Sequence, residues 1–128
     1  MATKLTIDPK LKVVYSTYYG DMTTTDLVQH IAAIRKHPDF NPDFDELIDA
    51  SGVTSFDIPS DDVRELASRE SPFHAHATRV LVAPQDLVFG LGRMFQTFGN
   101  EQRPHFVVVR TLDEAYRRLG RERLPKAQ

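Results

Sequence analysis

The order of apolar patterns along the chain restricts the fold more than any other feature of the sequence. Two strand-like segments, residues 5–7 and 11–19, flank the turn-forming residues Asp8-Pro9-Lys10, which predicts an antiparallel hairpin. After the hairpin, helix-like and strand-like patterns alternate. Such alternation predicts parallel strands that are joined by helices. We therefore expect an α/β fold, with a mixed five-stranded sheet, an antiparallel first strand and about four helices.

Each later element is predicted by a local signal. Apolar residues predict strands at 44–48, 79–83 and 106–109, with the first of these ending at Asp49-Ala50-Ser51-Gly52. Helices are expected from Thr23 or Thr24 to His37-Pro38, from near Ser60, over residues 86–98, and from Thr111 to Gly120.

Composition narrows the class of protein. A length of 128 residues predicts one domain, which we assign to residues 1–120, followed by a basic, frayed tail at 121–128. The net charge of -2 argues against a nucleic-acid partner, and Cys 0 excludes disulfides and zinc–thiolate sites. No segment approaches the roughly 18 apolar residues of a membrane span, and no apolar signal core opens the chain, so we expect a cytoplasmic protein.

The acidic stretch at 44–66 is the first place where we expect function, because loops after the strands of an open α/β sheet meet ligands and partners. Asp49 and Ser51 end the predicted strand, Asp57 precedes the next helix, and Ser60 is placed to cap it. Asp49 and Asp57 could act as acid and base or as oxygen ligands. Since no further ligand or base lies at a motif spacing, we favour a role for both in accepting loop amides.

Parts of the sequence resemble a known protein family. The run Leu47-Ile48-Asp49-Ala50-Ser51-Gly52-Val53 and the pair Phe56-Asp57 resemble the STAS (anti-sigma factor antagonist) fold, and 84–95 is similar to its SpoIIAA-like relatives of unassigned function. The resemblance implies a regulatory or protein-interaction module. In this chain, Ile58 occupies the position of the serine that is phosphorylated in STAS antagonists. Because isoleucine has no hydroxyl, the usual phosphoserine switch is not expected. Ser60 is the nearest substitute for phosphorylation, although acidic neighbours would repel the phosphate.

The predicted helix at 86–98 carries more apolar residues than one core-facing stripe needs. We expect the spare side chains Val88, Phe89, Phe95 and Phe98 to make a contact surface, first of all with a second copy of the chain. The leading hypothesis is therefore a non-catalytic interaction module that forms a homodimer or binds a protein partner. The predicted binding residues are Asp49, Ser51, Asp57, Ser60, Phe89, Arg93, Met94 and Phe95.

The alternative hypothesis is a carrier for a small apolar or lipid-like molecule that lies under helix 86–98, with Arg93 meeting an acidic head group. A lipid role is also implied by the family resemblance, through the likeness of that fold to lipid-carrier domains. An enzyme that uses Asp49 and Asp57 ranks third. No catalytic residue and no cofactor is predicted.

Two further motifs are weak. His74-Ala75-His76 would place both rings on one side of an extended segment, but two ligands are too few for a metal site, so a polar loop is the preferred interpretation. Gly90-Leu91-Gly92 lies inside a helical pattern and lacks the third glycine of a phosphate loop. We expect these glycines to allow close approach of another backbone or ring.

Overall fold

A computed structural model describes residues 2–120 and consists of a single sheet with helices on both faces. The tail predicted at 121–128 lies outside the described residues. The elements in chain order are β1 (Thr3–Asp8), β2 (Val13–Thr23), α1 (Thr24–Lys36), β3 (Asp45–Asp57), α2 (Ser60–Ser68), β4 (Arg79–Val82), α3 (Asp86–Phe98), β5 (Phe106–Val109) and α4 (Leu112–Arg118).

The strands follow one another across the sheet in the order β1-β2-β3-β4-β5. β1 pairs antiparallel with β2, and every later pair is parallel. The predicted mixed five-stranded α/β fold with an antiparallel first strand is therefore confirmed. Within residues 2–120, no helix is both long enough and apolar enough to cross a membrane.

Alternation along the central strands gives the sheet two different faces. On one face, Leu47 and Val80 pack against Tyr116 of α4. On the other face, Ile48 and Leu81 pack with Val88 of α3. Helices α1, α2 and α3 cover this second face, where α2 also packs against α3.

The predicted end of the central strand is wrong. β3 does not stop at Asp49-Ala50-Ser51-Gly52 but continues to Asp57, and β2 likewise passes Gly20 to reach Thr23. β4 pairs with β3 only as far as Asp49, whereas β2 stays paired with β3 to its end. The small polar residues are kept extended by this longer pairing, which includes register shifts beside Gly20.

Side-chain caps form at the start of α1 and α4 but not at the start of α2 or α3. Thr23, one of the two predicted starts of α1, forms a capping box with Asp26, and the Thr111 side chain accepts a hydrogen bond from the Glu114 amide at the start of α4. Ser60 does not cap α2, because Pro59 holds the cap position and no side-chain cap bond forms there. The predicted capping role of Ser60 is therefore wrong.

Candidate functional site

A cavity of about 420 Å³ lies between the sheet and helices α1, α2 and α3. We call it the helix-covered cavity. Most of its wall is hydrocarbon, and each of the three helices contributes to it. The apolar lining includes Leu27, Ile31 and Ile34 of α1, Val63 and Leu66 of α2, Val88, Leu91 and Phe95 of α3, and Ile48, Leu81 and Phe106 of the sheet.

A buried ion pair interrupts this apolar wall. Glu46 of β3 and Arg79 of β4 are register partners on the cavity face, and the Arg79 Nε donates to the Glu46 Oε1 at 2.9 Å. Their side chains are only 1% and 10% exposed, respectively. The guanidinium of Arg79 also lies 4.4 Å from the ring centroid of Phe73 and 5.4 Å from that of Phe106. The charge is therefore held between a carboxylate and two aromatic faces.

Two further buried side chains extend the pair into a hydrogen-bonded network. Ser16 of β2 donates to the Glu46 Oε2 at 2.7 Å, and its oxygen lies 2.7 Å from the Nε2 of His30 in α1. Because the Ser16 proton goes to Glu46, the Nε2 of His30 is the donor in the second bond. The order is histidine, serine, carboxylate, whereas in a catalytic triad the histidine lies between the serine and the acid.

Burial changes the proton affinity of the groups around this network. Desolvation lowers the pKa of His30 below its ordinary value, although the nearby Glu46 carboxylate opposes the shift. Desolvation also raises the pKa of Tyr18, and the Glu46 charge adds to that effect. The Tyr18 ring meets the His30 ring edge-on, with centroids 5.4 Å apart. At neutral pH both rings are therefore uncharged, and Glu46 and Arg79 carry the charge of the network.

Arg103 is a second cation in the wall of the cavity and is only 7% exposed. Its two terminal nitrogens donate to the carbonyl oxygens of Ala67 and Arg69 at 2.9 and 2.8 Å, at the C-terminal end of α2. Its Nε is buried and has no hydrogen-bond partner in the described part of the chain, and its guanidinium lies 4.7 Å from the ring centroid of Phe95. Burial lowers the pKa of Arg103 to about 10, with repulsion from Arg79 as a second cause, so the group stays charged at neutral pH.

The predicted acidic site lies apart from the helix-covered cavity. Asp49 is half-buried within β3, where its Oδ1 accepts from the amide and the hydroxyl of Ser51 at 3.0 and 2.6 Å. Asp57 and Ser60 are exposed at the end of β3 and the start of α2. Asp49 pairs with Thr17 and Asp57 with Thr23, six residues further along β2, so roughly 20 Å of strand separates the two positions. They cannot form the carboxylate pair that was considered from the sequence.

The predicted residues of α3 are divided between core and surface. Phe95 is half-buried and lines the cavity, with its ring centroid 5.1 Å from that of Phe106. Phe89 and Met94 are half-buried outside the lining, and the guanidinium of Arg110 lies 3.9 Å from the Phe89 ring centroid. Arg93 is exposed, lies outside the lining, and among residues 2–120 has no carboxylate within 4.0 Å.

The expectation of a broad spare apolar surface on α3 is also corrected. Val88 is buried, and Phe89 and Phe95 pack against the core. Phe98, at 47% exposure, is the only one of the four expected contact residues that is exposed, although Leu87 is exposed as well. The surplus apolar residues of the helix are accounted for largely by α2, the sheet and the cavity.

Sequence reasoning missed the polar residues of the cavity, although each gave a signal. Glu46 shares the face of Ile48 in an apolar strand, and Arg79 opens the continuous apolar run at 79–83. His30 stands on the apolar stripe of α1, between Leu27 and Ile34. A polar or charged residue at a buried position of a periodic pattern is unusual unless it has a partner, which makes such positions candidates for a site.

No protein-family model matches this chain, and no curated protein is significantly similar to it. The resemblance to STAS and SpoIIAA-like proteins therefore stays a prediction from the sequence.

Proposed function

We propose that this protein binds a small amphipathic molecule in the helix-covered cavity, with an apolar body and an acidic head group such as a carboxylate or phosphate. The observation that carries the proposal is a hydrocarbon-lined space of about 420 Å³ that also contains buried charged groups. Ligand sites in proteins usually have volumes of about 300–1,000 Å³ and combine apolar walls with a few placed polar groups.

The apolar walls of the cavity favour a ligand with an apolar body. Side chains from α1, α2 and α3 face Ile48 and Leu81 across the cavity, so a hydrocarbon body would contact apolar groups from both the helices and the sheet. Transfer of such a body from water is favourable by roughly 0.8 kcal/mol for each buried methylene.

The charge balance supports the acidic head group. Glu46 neutralises Arg79, but Arg103 has no carboxylate within 4.0 Å among the described residues. Within residues 2–120, its polar partners are oxygens of the peptide backbone and of the Gln102 amide, and its Nε–H has no acceptor. The wall of the cavity thus carries a positive charge that no carboxylate of the described residues balances, and a carboxylate or phosphate head group would balance it.

The first test is native mass spectrometry of the purified protein, with organic extraction of any bound molecule. Binding is then compared for dodecanoate and dodecanol, which share one chain length and differ in the charge of the head group. We expect saturable binding of both, with tighter binding of dodecanoate. Val63→Phe fills part of the cavity and should weaken the binding of both ligands. The matched change Leu87→Phe lies at an exposed position of α3 outside the lining and should leave the binding of both ligands unchanged.

Arg103 gives a sharper test of the head group. Arg103→Gln should lower the ratio of the dodecanoate affinity to the dodecanol affinity by roughly 10- to 100-fold, since a hydrogen bond to a charged group contributes about 1.5–3 kcal/mol. The ratio of the two affinities within one variant is insensitive to a change in folded fraction. Equal binding to wild type and Val63→Phe would contradict the proposal for the cavity, and an unchanged ratio in Arg103→Gln would contradict the proposal for the head group.

The interaction module and homodimer predicted from the sequence remain a second proposal. The exposed side chains Leu87 and Phe98 on α3 favour it, but they are a much smaller surface than expected. Light scattering of a Leu87→Asp, Phe98→Asp variant tests it, and an oligomeric state unchanged from wild type would count against a contact through this helix.

A further inference from the structure

A second cluster of polar side chains lies outside the helix-covered cavity, where two loops meet at the surface. Asp43 belongs to the loop between α1 and β3, and His74 and His76 belong to the loop between α2 and β4. The Asp43 Oδ1 contacts the Nδ1 of His74 and lies 3.0 Å from the Nε2 of His76. One ligand atom from each residue lies within 4.8 Å of the other two.

We propose that Asp43, His74 and His76 form a binding site for a divalent transition metal ion of the Zn²⁺ type. Two imidazole nitrogens and one carboxylate oxygen are ligands that suit Zn²⁺, whereas Mg²⁺ and Ca²⁺ prefer oxygen ligands alone. Tetrahedral coordination with bonds near 2.0 Å places ligand atoms about 3.3 Å apart. The three ligand atoms already lie within 4.8 Å of one another, which is close to that spacing.

The backbone beneath the cluster is held in place by buried neighbours. Phe44 follows Asp43, Phe73 precedes His74 and Ala77 follows His76, and these three neighbours belong to one hydrophobic cluster at 4–7% exposure. Each ligand residue is therefore exposed but adjacent to an anchored position. The backbone of the site therefore needs little further ordering when an ion binds.

Hydrogen bonds also tie the two loops together on both sides of the cluster. The amide of His74 donates to the carbonyl oxygen of Pro42 at 2.9 Å, and the amide of Thr78 donates to the Asp45 Oδ1 at 2.9 Å. The approach of His74 to Asp43 is thus fixed by main-chain contacts as well as by the side chains.

Exposure determines what such a site can do. The side chains of Asp43, His74 and His76 are 57%, 58% and 67% exposed, so an ion can enter from solvent without opening the fold. Three protein ligands leave at least one coordination position for water or for a group of another molecule. As exposed ion pairs, the same contacts would contribute little to stability.

The test is isothermal titration calorimetry of the full chain, stripped with EDTA and titrated with ZnCl₂. We expect one Zn²⁺ per chain, and a loss in affinity of roughly 10-fold or more in His74→Ala, in His76→Ala and in Asp43→Asn, since even outer-sphere partners contribute 10- to 100-fold. His105→Ala, an exposed histidine outside the cluster, is the matched control and should bind as wild type does.

Titration with Co²⁺ gives an independent readout, because its visible absorption reports the ligand set and should change in His74→Ala but not in His105→Ala. All substituted positions are exposed, so circular dichroism should show an unchanged fold. The proposal is overturned if wild type shows no saturable Zn²⁺ binding, if His74→Ala and His76→Ala bind as tightly as wild type, or if Mg²⁺ competes equally with Zn²⁺.

Discussion

Two glutamate–arginine pairs in this protein have similar geometry but different burial, and they allow a controlled test of the network in the cavity. Glu46 and Arg79 are 2.9 Å apart with side chains 1% and 10% exposed, whereas Glu65 and Arg69 are 2.7 Å apart with side chains 54% and 53% exposed. We compare Glu46→Gln with Glu65→Gln. Each change removes one negative charge and keeps the size of the side chain.

The expected effects differ because water can replace a lost partner only at the surface. Removing one partner of a buried ion pair leaves an uncompensated charge and costs about 3–5 kcal/mol of folding stability. For a chain of this size, such a loss corresponds to a fall in the melting temperature of roughly 10 °C or more. For Glu65→Gln we expect stability close to that of wild type, since an exposed pair is screened by water and salt.

Urea denaturation, monitored by circular dichroism, measures the free energy of unfolding of both variants under the same conditions. A third variant, in which Glu46 and Arg79 are both replaced by leucine, should be more stable than Glu46→Gln because no buried charge is left unpaired. If Glu46→Gln is no less stable than Glu65→Gln, then Arg79 is not desolvated. The electrostatic description of the cavity would then be wrong.

The remaining predictions concern α3 and the pH dependence of stability. A Cβ at Gly92 would lie 2.7 Å from the Leu81 Cδ2, whereas a Cβ at Gly90 would have no atom of residues 2–120 within 4 Å. Gly90→Ala should therefore raise stability by about 1 kcal/mol and Gly92→Ala should not, as measured by urea denaturation; equal gains would contradict the close approach of α3 to the sheet. Because burial lowers the pKa of His30, the unfolded chain binds its proton more readily, so stability is complete at higher pH and falls as the pH drops below about 6.5. This fall should be smaller in His30→Gln, and an equal fall in both proteins would show that His30 is not desolvated.

The elements with strong local signals were predicted from the sequence. The continuous apolar run of β4 is buried at every position, and β5 occupies the predicted residues. Thr23 and Thr111 accept the capping hydrogen bonds expected of them. At Gly120 the backbone has the positive φ of +68° that favours glycine at the end of a helix. Such features depend on a few neighbouring residues and are therefore visible in the sequence.

The end of β3 could not be predicted in the same way. Asp49, Ser51 and Gly52 have a composition typical of a loop, but Gly52 pairs with Tyr19 of β2. Pairing between strands that are distant in sequence overrode the local preference. The predicted acidic loop is consequently a strand, and the residues selected from it do not converge on one site.

The helix-covered cavity depends on how three helices sit on the sheet, which no local pattern specifies. Glu46 and Arg79 are 33 residues apart, and His74 lies 31 residues from Asp43. Two histidines alone are too few for a metal site, and no local pattern indicates that a carboxylate from another loop lies beside them. Long-range register, rather than residue type, brings these groups together.

The most direct test of the proposed function is a nuclear magnetic resonance titration of the methyl-labelled protein with dodecanoate. Our account predicts saturable shifts for the methyl groups of Ile31, Leu66 and Leu91, which line the cavity, and none for Leu112 and Leu119 on the opposite face of the sheet. Shifts on both faces, or unchanged signals from the cavity methyl groups at saturating dodecanoate, would contradict it.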